Sequence, residues 1–427
     1  MVRNATRARP HVLVIDANNP VPRDRRVWLQ CRALAGHGID VSVICPGPAP
    51  LARYEEIDGV QVHRYSTSRT SSATRAYFAD YVLSLLRTLR LAIRIWRRHR
   101  FDVIQTCNPP DTYFVVASLF RLAGARFVFD QHDLSPEIYT DRFTPASRSV
   151  LRVLTALERM SHRRADHVLT VNESCRELLL SRTRTAPERL TVVRTGPELA
   201  RLRVGPPIDE LRNGRRYLCA YLGVMGPQDG VQLVLEAARE IVHGMGRDDI
   251  QFVLMGDGDR FPELQRLAAE LDIEPWLTFT GFADDETICR YLSTSDLGLQ
   301  PDQLTPFTDL CSMVKTIEYM AFGLPVVTFD LKETRRSAAG AARYVAVESP
   351  AAYAKAIVDL LDDQDLRASM SRVATQRARA ELSWQRQAPI YLQVMRSVIQ
   401  GSRSRRGSPG GVERIDPAEQ VTGLVER

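Results

Sequence analysis

Short apolar runs alternate with amphipathic stretches along nearly the whole chain. Residues 11–16 (HVLVID) form an unbroken apolar run of strand type, and a polar, proline-bearing loop (17–23) follows. A helical stretch spans 24–35, Gly36-His37-Gly38 stops it, and 39–45 (IDVSVIC) is the next strand. Strand, helix, glycine stop and strand within about 35 residues make a βαβ unit. The pattern predicts further strands at 101–106, 126–130, 167–171 and 190–194. A second series runs through 217–222, 250–255, 277–280, 296–300 and 325–328, with helices such as 231–242 and 261–271 after most of them. Strands covered by helices on both faces read as continuous apolar runs. The expected fold class is therefore α/β, with two Rossmann-like, doubly wound parallel-sheet domains.

The domain organisation follows from where the pattern breaks. Residues 11–200 form the first domain, the loose Pro- and Gly-bearing segment 201–214 is a linker, and 215–382 form the second. A terminal helix occupies 383–400, and 401–427, rich in Gly, Ser, Arg and Pro, is expected to be a disordered tail. Ligands of such sheets bind beyond the carboxyl ends of the strands. The loops that matter are therefore 17–24, 107–111 and 131–137 in the first half. In the second half they are 223–230, 256–259, 281–284, 301–311 and 329–335.

Composition changes this picture modestly. A chain of 427 residues exceeds one ordinary core. A net charge of +6 suits an anionic partner (membrane lipid, nucleotide or nucleic acid) without choosing among them. The basic residues are nearly all arginine; the lysines are Lys315, Lys332 and Lys355. Codon bias accounts for that, and a lysine kept against it marks a place where a guanidinium does not fit. The seven cysteines are scattered without a C-x-x-C pair, which reads as buried thiols in a reducing compartment. Residues 1–10 lack an apolar signal-peptide core, and no stretch of about 18 residues stays free of charge. The expected localisation is cytoplasmic.

Two segments carry candidate chemistry. Gly256-Asp257-Gly258-Asp259 follows a strand and opens a helix, where glycines admit a ligand to the backbone and the helix start favours phosphate. The other reading is a tight turn with Asp as N-cap. The segment also matches D-x-D, a divalent-ion motif, but its place in a βα turn favours capping, and no metal is expected. The second segment is 312–327, SMVKTIEYMAFGLPVV. Ile317, Met320 and Ala321 are spaced to face a core, with Lys315 and Glu318 one turn apart on the other side. Free N–H groups at the start of this helix can meet a diphosphate, and a carboxylate further along can accept both hydroxyls of a ribose. The alternative is a surface Lys–Glu pair.

The stretch K-T-I-E-Y-M-A-F-G-L-P-V-V resembles the helix–turn–strand element of retaining glycosyltransferases of the GT-B fold, in particular glycosyltransferase family 4. D-R-R-V-W-L-Q-C-R-A-L-A-G-H-G-I-D-V, F-D-Q-H-D-L-S-P-E, M-G-D-G-D and F-T-G-F agree in order and spacing, so the likeness covers roughly 11–400. The resemblance implies two domains facing each other across a cleft and a nucleotide-sugar donor with a glycan or lipid-linked acceptor. It implies no cofactor and no metal. Glu318 resembles the ribose-binding glutamate, and Ser312, Met313 and Val314 would offer N–H groups to the diphosphate. Gly256, Asp257, Gly258, Gly281 and Phe282 resemble the walls of the nucleobase pocket. His132 resembles the histidine at the transfer centre, and Asn18, Asn19, Arg23, Asn108 and Asp111 stand on the acceptor side.

The chain also departs from the family pattern. Eight positions before Glu318, where a first glutamate is usual, stands Leu310, with Asp309 beside it. The loop 223–230 (GVMGPQDG) carries no cation where an Arg and a Lys usually clamp the phosphates, and Asn18-Asn19-Pro20 replaces a glycine pair. A departing diphosphate needs positive charge, so Lys315, Lys332 and Arg335 are the candidates to supply it. The rivals are a non-catalytic binding protein of the same fold and a GT-B sugar epimerase. Finally, 81–100 (YVLSLLRTLRLAIRIWRRHR) places Val82, Leu85, Leu86, Leu89, Ile93 and Trp96 on one stripe and five arginines on another. That is either a solvated basic face or an interfacial helix reading an anionic membrane. Nucleic-acid binding is not expected, since no recognised motif or aromatic platform is present.

Overall fold

The computed structural model describes residues 9–47, 51–66, 74–143 and 145–405. The first sheet contains β1 (His11–Ile15), β2 (Asp40–Pro46), β3 (Tyr54–Ile57), β4 (Val60–Tyr65), β5 (Val103–Cys107), β6 (Arg126–Gln131), β7 (His167–Thr170) and β8 (Leu190–Val192). Its order is β3-β4-β2-β1-β5-β6-β7-β8, parallel throughout except for β3, which is antiparallel to β4. The second sheet contains β9 (Tyr217–Leu222), β10 (Ile250–Met255), β11 (Leu277–Gly281), β12 (Leu297–Gln300), β13 (Val326–Phe329) and β14 (Ala342–Val345), ordered β11-β10-β9-β12-β13-β14 and wholly parallel. In both sheets the order reverses beside the first strand of the domain, the place where such folds bind ligands.

The apolar runs are continuous because both faces are covered. Val12 and Val14 of β1 pack into one core, and Leu13 and Ile15 into another. In β9, Cys219 and Tyr221 face one layer, while Leu218, Ala220 and Leu222 face the other. The hairpin β3–β4 and the strand β14 were not among the predicted strands. The hairpin carries its own signal, since Asp58 and Gly59 both have positive φ (48° and 75°), the conformation an Asp-Gly turn supplies. β14 is four residues long and lies within an alanine-rich stretch that gives no period of two.

The helix α1 (Arg25–Gly36) starts at Asp24, whose carboxylate accepts the Val27 N–H at 3.0 Å. The helix α2 (Thr74–Arg98) lies over β2 and β4. Here the sequence stripe splits. Leu85, Leu89 and Trp96 pack on the core, whereas Val82, Leu86 and Ile93 are exposed. The terminal helix Trp384–Arg405 returns to the first sheet and inserts Trp384, Tyr391, Leu392 and Met395 beside Val12 and Val14. Residues 401–405 continue that helix, and the rest of the expected tail lies outside the described residues. The two chain crossings between domains touch. A Cβ on Gly196 would stand 1.8 Å from the Leu382 carbonyl oxygen, and the Arg194 N–H donates to Gln387 Oε1 at 2.9 Å.

Candidate functional site

The helix Val314–Ala321 is fixed on the carboxyl edge of the second sheet by Tyr319. Gly298 of β12 leaves room for that ring; a Cβ there would stand 2.4 Å from it. The Tyr319 hydroxyl donates to the Leu299 carbonyl at 3.2 Å and accepts the Leu222 N–H at 2.7 Å. Every residue from Thr316 to Ala321 is buried, so Lys315 and Glu318 are not a surface pair. They point to different partners. Glu318 is 6% exposed and accepts from Arg201 Nη2 at 2.6 Å and from Arg25 Nη1 at 3.3 Å. Burial raises its pKa, and the Arg201 and Arg25 charges only partly oppose the rise.

Lys315 turns beneath the 223–230 loop. Its ammonium lies 3.3 Å from both carboxylate oxygens of Asp302, 3.9 Å from Asp229 and 4.9 Å from the Tyr221 ring centre. A Cβ on Gly223 would come within 3.3 Å of its Cε. Burial works against the ammonium charge, yet Asp302 and Asp229 outweigh it and the pKa is raised. The loop without a cation of its own therefore receives one from the next helix but several.

The remaining candidates fall elsewhere. Lys332 pairs with Glu177 of the first domain at 3.2 Å, and Arg335 pairs with Asp330 and stacks over Tyr344 at 4.3 Å. Neither is joined to the Lys315 cluster. Asp257 accepts the Gly258 N–H at 2.7 Å, while the helix Phe261–Glu270 takes Arg260 as its N-cap, so the expected Asp cap is not formed. Gly256 and Gly258 have a packing reason. A Cβ on Gly256 would stand 1.8 Å from the Gly223 oxygen, and one on Gly258 would stand 2.6 Å from the Met225 oxygen. Gly281 has φ +65°, and Phe282 beside it is 82% exposed. Met313 is the N-cap of the Val314–Ala321 helix without a capping side chain, and Ser312 Oγ accepts from Asn172 Nδ2 at 3.0 Å.

On the first-domain side, His132 stands just past β6, with its Nε2 3.0 Å from Asp130 Oδ2. Asp130 is fully buried and is also held by Arg26 at 2.7 Å and by Gln30 at 2.6 Å, one turn apart on α1. Burial alone would raise the Asp130 pKa, but Arg26 and His132 hold it far below the usual carboxylate range. Burial likewise opposes the His132 charge, and Asp130 overcomes it, so the ring's pKa is raised. Gln105 joins this network to Tyr391 of the terminal helix, whose hydroxyl donates at 2.8 Å.

Asn108 and Asp111 are buried and committed to the same loop. Asn108 Oδ1 accepts the His132 and Asp133 N–H groups at 2.6 and 3.1 Å, and its amide donates to Asp111 at 3.0 Å. Asn18 and Asn19 are exposed and donate their N–H groups to Asp16 Oδ1; Arg23 is exposed. Asp16 itself is buried, with its pKa pushed up to about 7 by burial and by Asp24. Among the described residues, Cys107, Asp130 and His132 form the one group spaced for a metal ion. The Arg26 guanidinium already occupies the carboxylate there, which disfavours a cation. Sequence reasoning passed over Arg201, Asp302, Asp16 and Asp130. Their partners lie up to 117 residues away in the chain, and no local period reports such a contact.

Two doubly wound domains, each presenting its strand-end loops to the other and joined across the gap by Arg25, Arg201, Asp285 and Glu318, define a GT-B glycosyltransferase. The chain belongs to the family 4 glycosyltransferases. Residues 24–201 match the model of Glycosyltransferase Family 4, and residues 216–363 match the model of Glycosyl transferases group 1. An uncharacterized glycosyltransferase of Methanocaldococcus jannaschii is 23% identical over 313 residues, 70% of this chain and 75% of its own. Sucrose-phosphate synthase from Thermosynechococcus elongatus superposes with a TM-score of 0.73 at 18% identity, over 92% of this chain and 100% of its own. The Anabaena protein HepE in complex with UDP-glucose superposes with a TM-score of 0.68 at 17% identity, over 91% of this chain and 99% of its own. The two structural likenesses establish the fold.

Proposed function

We propose that this glycosyltransferase is a retaining, metal-independent enzyme that moves a sugar from a nucleotide-sugar donor to a glycan or lipid-linked acceptor. Its place would be in cell-surface polysaccharide or glycolipid synthesis, on the cytoplasmic side. One observation carries the donor half of this reading: a single buried helix delivers Glu318 to the cleft and Lys315 to the underside of the 223–230 loop. The carboxylate accepts from the ribose hydroxyls. The ammonium, with the uncapped N–H groups at the start of that helix, stabilises negative charge on the diphosphate as the glycosidic bond breaks. Positive charge supplied in this way takes the place of a metal. Across the cleft, His132 is oriented by Asp130 and faces the transferred sugar. Asn108 and Asp111 hold the loop that presents it. Lys332 and Arg335, paired on the rim, are secondary candidates at most. The Anabaena complex with UDP-glucose supports a nucleotide sugar as donor.

Calorimetry tests the donor assignment. Glu318→Gln should weaken nucleotide-sugar binding by about tenfold or more, since a charged acceptor is worth about 1.5–3 kcal/mol. Unchanged affinity in a folded variant would make Glu318 an internal ion-pair partner of Arg201 and Arg25 only.

A further inference from the structure

Arginines crowd together where α2 crosses the β3–β4 hairpin, at the β3 edge of the first sheet. A groove of about 530 Å³ opens there between Arg53 and Arg64 on the hairpin side and Arg87, Arg90, Arg94 and Arg98 on the helix. Among the described residues, no carboxylate lines it. Arg64 is buried and paired with Glu55, but Arg53, Arg87, Arg90, Arg94 and Arg98 have no ion pair among the described residues. Arginines one turn apart on a helix repel each other, and such a row is held more comfortably when anions sit between them. His63 lies in the same wall. Burial, reinforced by Arg98 and Arg94, pushes its pKa down to about 4.

The helix supplies a second, independent feature beside the groove. Val82, Leu86 and Ile93 are 44%, 51% and 38% exposed. At 100° per residue they fall in one strip about 40° wide, and the arginines follow on its groove side. Phosphate alone would not require bare aliphatic side chains next to the cations, and stacking a run of bases uses several open rings, whereas Tyr65 is buried and Tyr54, the exposed ring of the wall, leans on His63. An interface with apolar depth and anionic headgroups uses both features at once. No helix among the described residues is long and apolar enough to cross a membrane, so contact of this kind would be lateral.

The geometry points to this groove as the seat of headgroup phosphates of an anionic lipid bilayer, with Val82, Leu86 and Ile93 entering the interface beside it. Guanidiniums fork onto phosphate oxygens in pairs. Binding there needs no donor and no turnover, so its failure leaves the donor-site reading standing, and the reverse holds too.

The experiment is co-sedimentation of the full chain with vesicles of phosphatidylglycerol mixed with phosphatidylcholine, against phosphatidylcholine alone. The expected result is binding to the mixed vesicles, weaker by about tenfold or more on neutral ones, and released as salt shortens the Debye length. Arg90→Gln with Arg94→Gln should lower that binding by about tenfold or more. Leu86→Ser, which leaves the groove charge intact, should lower it several-fold. All three positions are exposed, and circular dichroism verifies folding. Equal partition onto neutral vesicles overturns the proposal, as does full vesicle binding by either variant. Saturable binding of glycerol phosphate in free solution, with none to vesicles, overturns it as well.

Discussion

Asp130 shows how much one side chain can organise. It is fully buried and satisfies Arg26, Gln30 and His132 together, which holds a guanidinium in the interior and favours the charged form of the imidazole. The linkage signs differ for the two partners. His132, with its folded pKa raised, contributes stability that is complete below about pH 6.5 and lost as pH rises through the folded value. Asp130, with its folded pKa depressed, contributes above about pH 4 and loses that share as pH falls. Asp130→Asn should therefore move the His132 ring titration, followed by NMR, to lower pH. It should also destabilise the chain by about 3–5 kcal/mol at neutral pH, because Arg26 is left buried without its counter-charge. A ring that titrates at the parental pH in the folded variant would show that Asp130 does not govern it. Lys315 and Glu318 were legible in the sequence as members of a motif. Their partners were not: Asp302 and Arg201 reach them through the fold, and no spacing along the chain announces them.

The strand–turn–helix elements explain why the second domain needs its glycines. The turns after β9 and β10 lie back to back, and Gly256, at φ +141°, would drive a Cβ to 1.8 Å from the Gly223 oxygen. Gly246, at φ +67°, has nothing within 4 Å of its Cβ position. Gly256→Ala should cost about 2–4 kcal/mol from overpacking and backbone strain together. Gly246→Ala should cost about 1 kcal/mol from backbone strain alone. Equal losses in denaturant unfolding would mean that the close turn-to-turn contact does not hold the loop above Lys315. Most elements were legible because buried parallel strands are continuous apolar runs, and Val12 to Ile15 or Leu218 to Leu222 leave little choice. The β3–β4 hairpin was missed although Asp58-Gly59 marks its turn, because Tyr54–Ile57 is polar and lies at the sheet edge. The stripe on α2 was legible, but its division between core and surface was not. Periodicity says that apolar residues share a side, but not how wide a strip the core covers, and Val82, Leu86 and Ile93 fall outside it.

At the scale of the whole molecule, the two domains meet through charge. Arg25 of the first domain reaches both Glu318 and Asp285 of the second, and Arg201 joins the same two carboxylates. Farther out, the buried Glu333 accepts from Ser174 and Arg194, and Glu177 pairs with Lys332 and Arg336. In the donor-site account a ribose takes the place of Arg25 on Glu318, while Lys315, held below by Asp302 and Asp229, stays with the diphosphate. The account stands on that ammonium, because the loop above it offers no other cation. The most direct measurement is turnover of a panel of nucleotide sugars by the parent chain and by Lys315→Met, with donor affinity measured alongside. The parent should turn over at least one donor. The variant should lose roughly 10²-fold or more in kcat, as loss of a preorganised charge does. Its donor affinity should fall much less, since the charge matters most as the bond breaks. Near-parental kcat in the folded Lys315→Met variant would contradict the account and move the diphosphate away from the 223–230 loop.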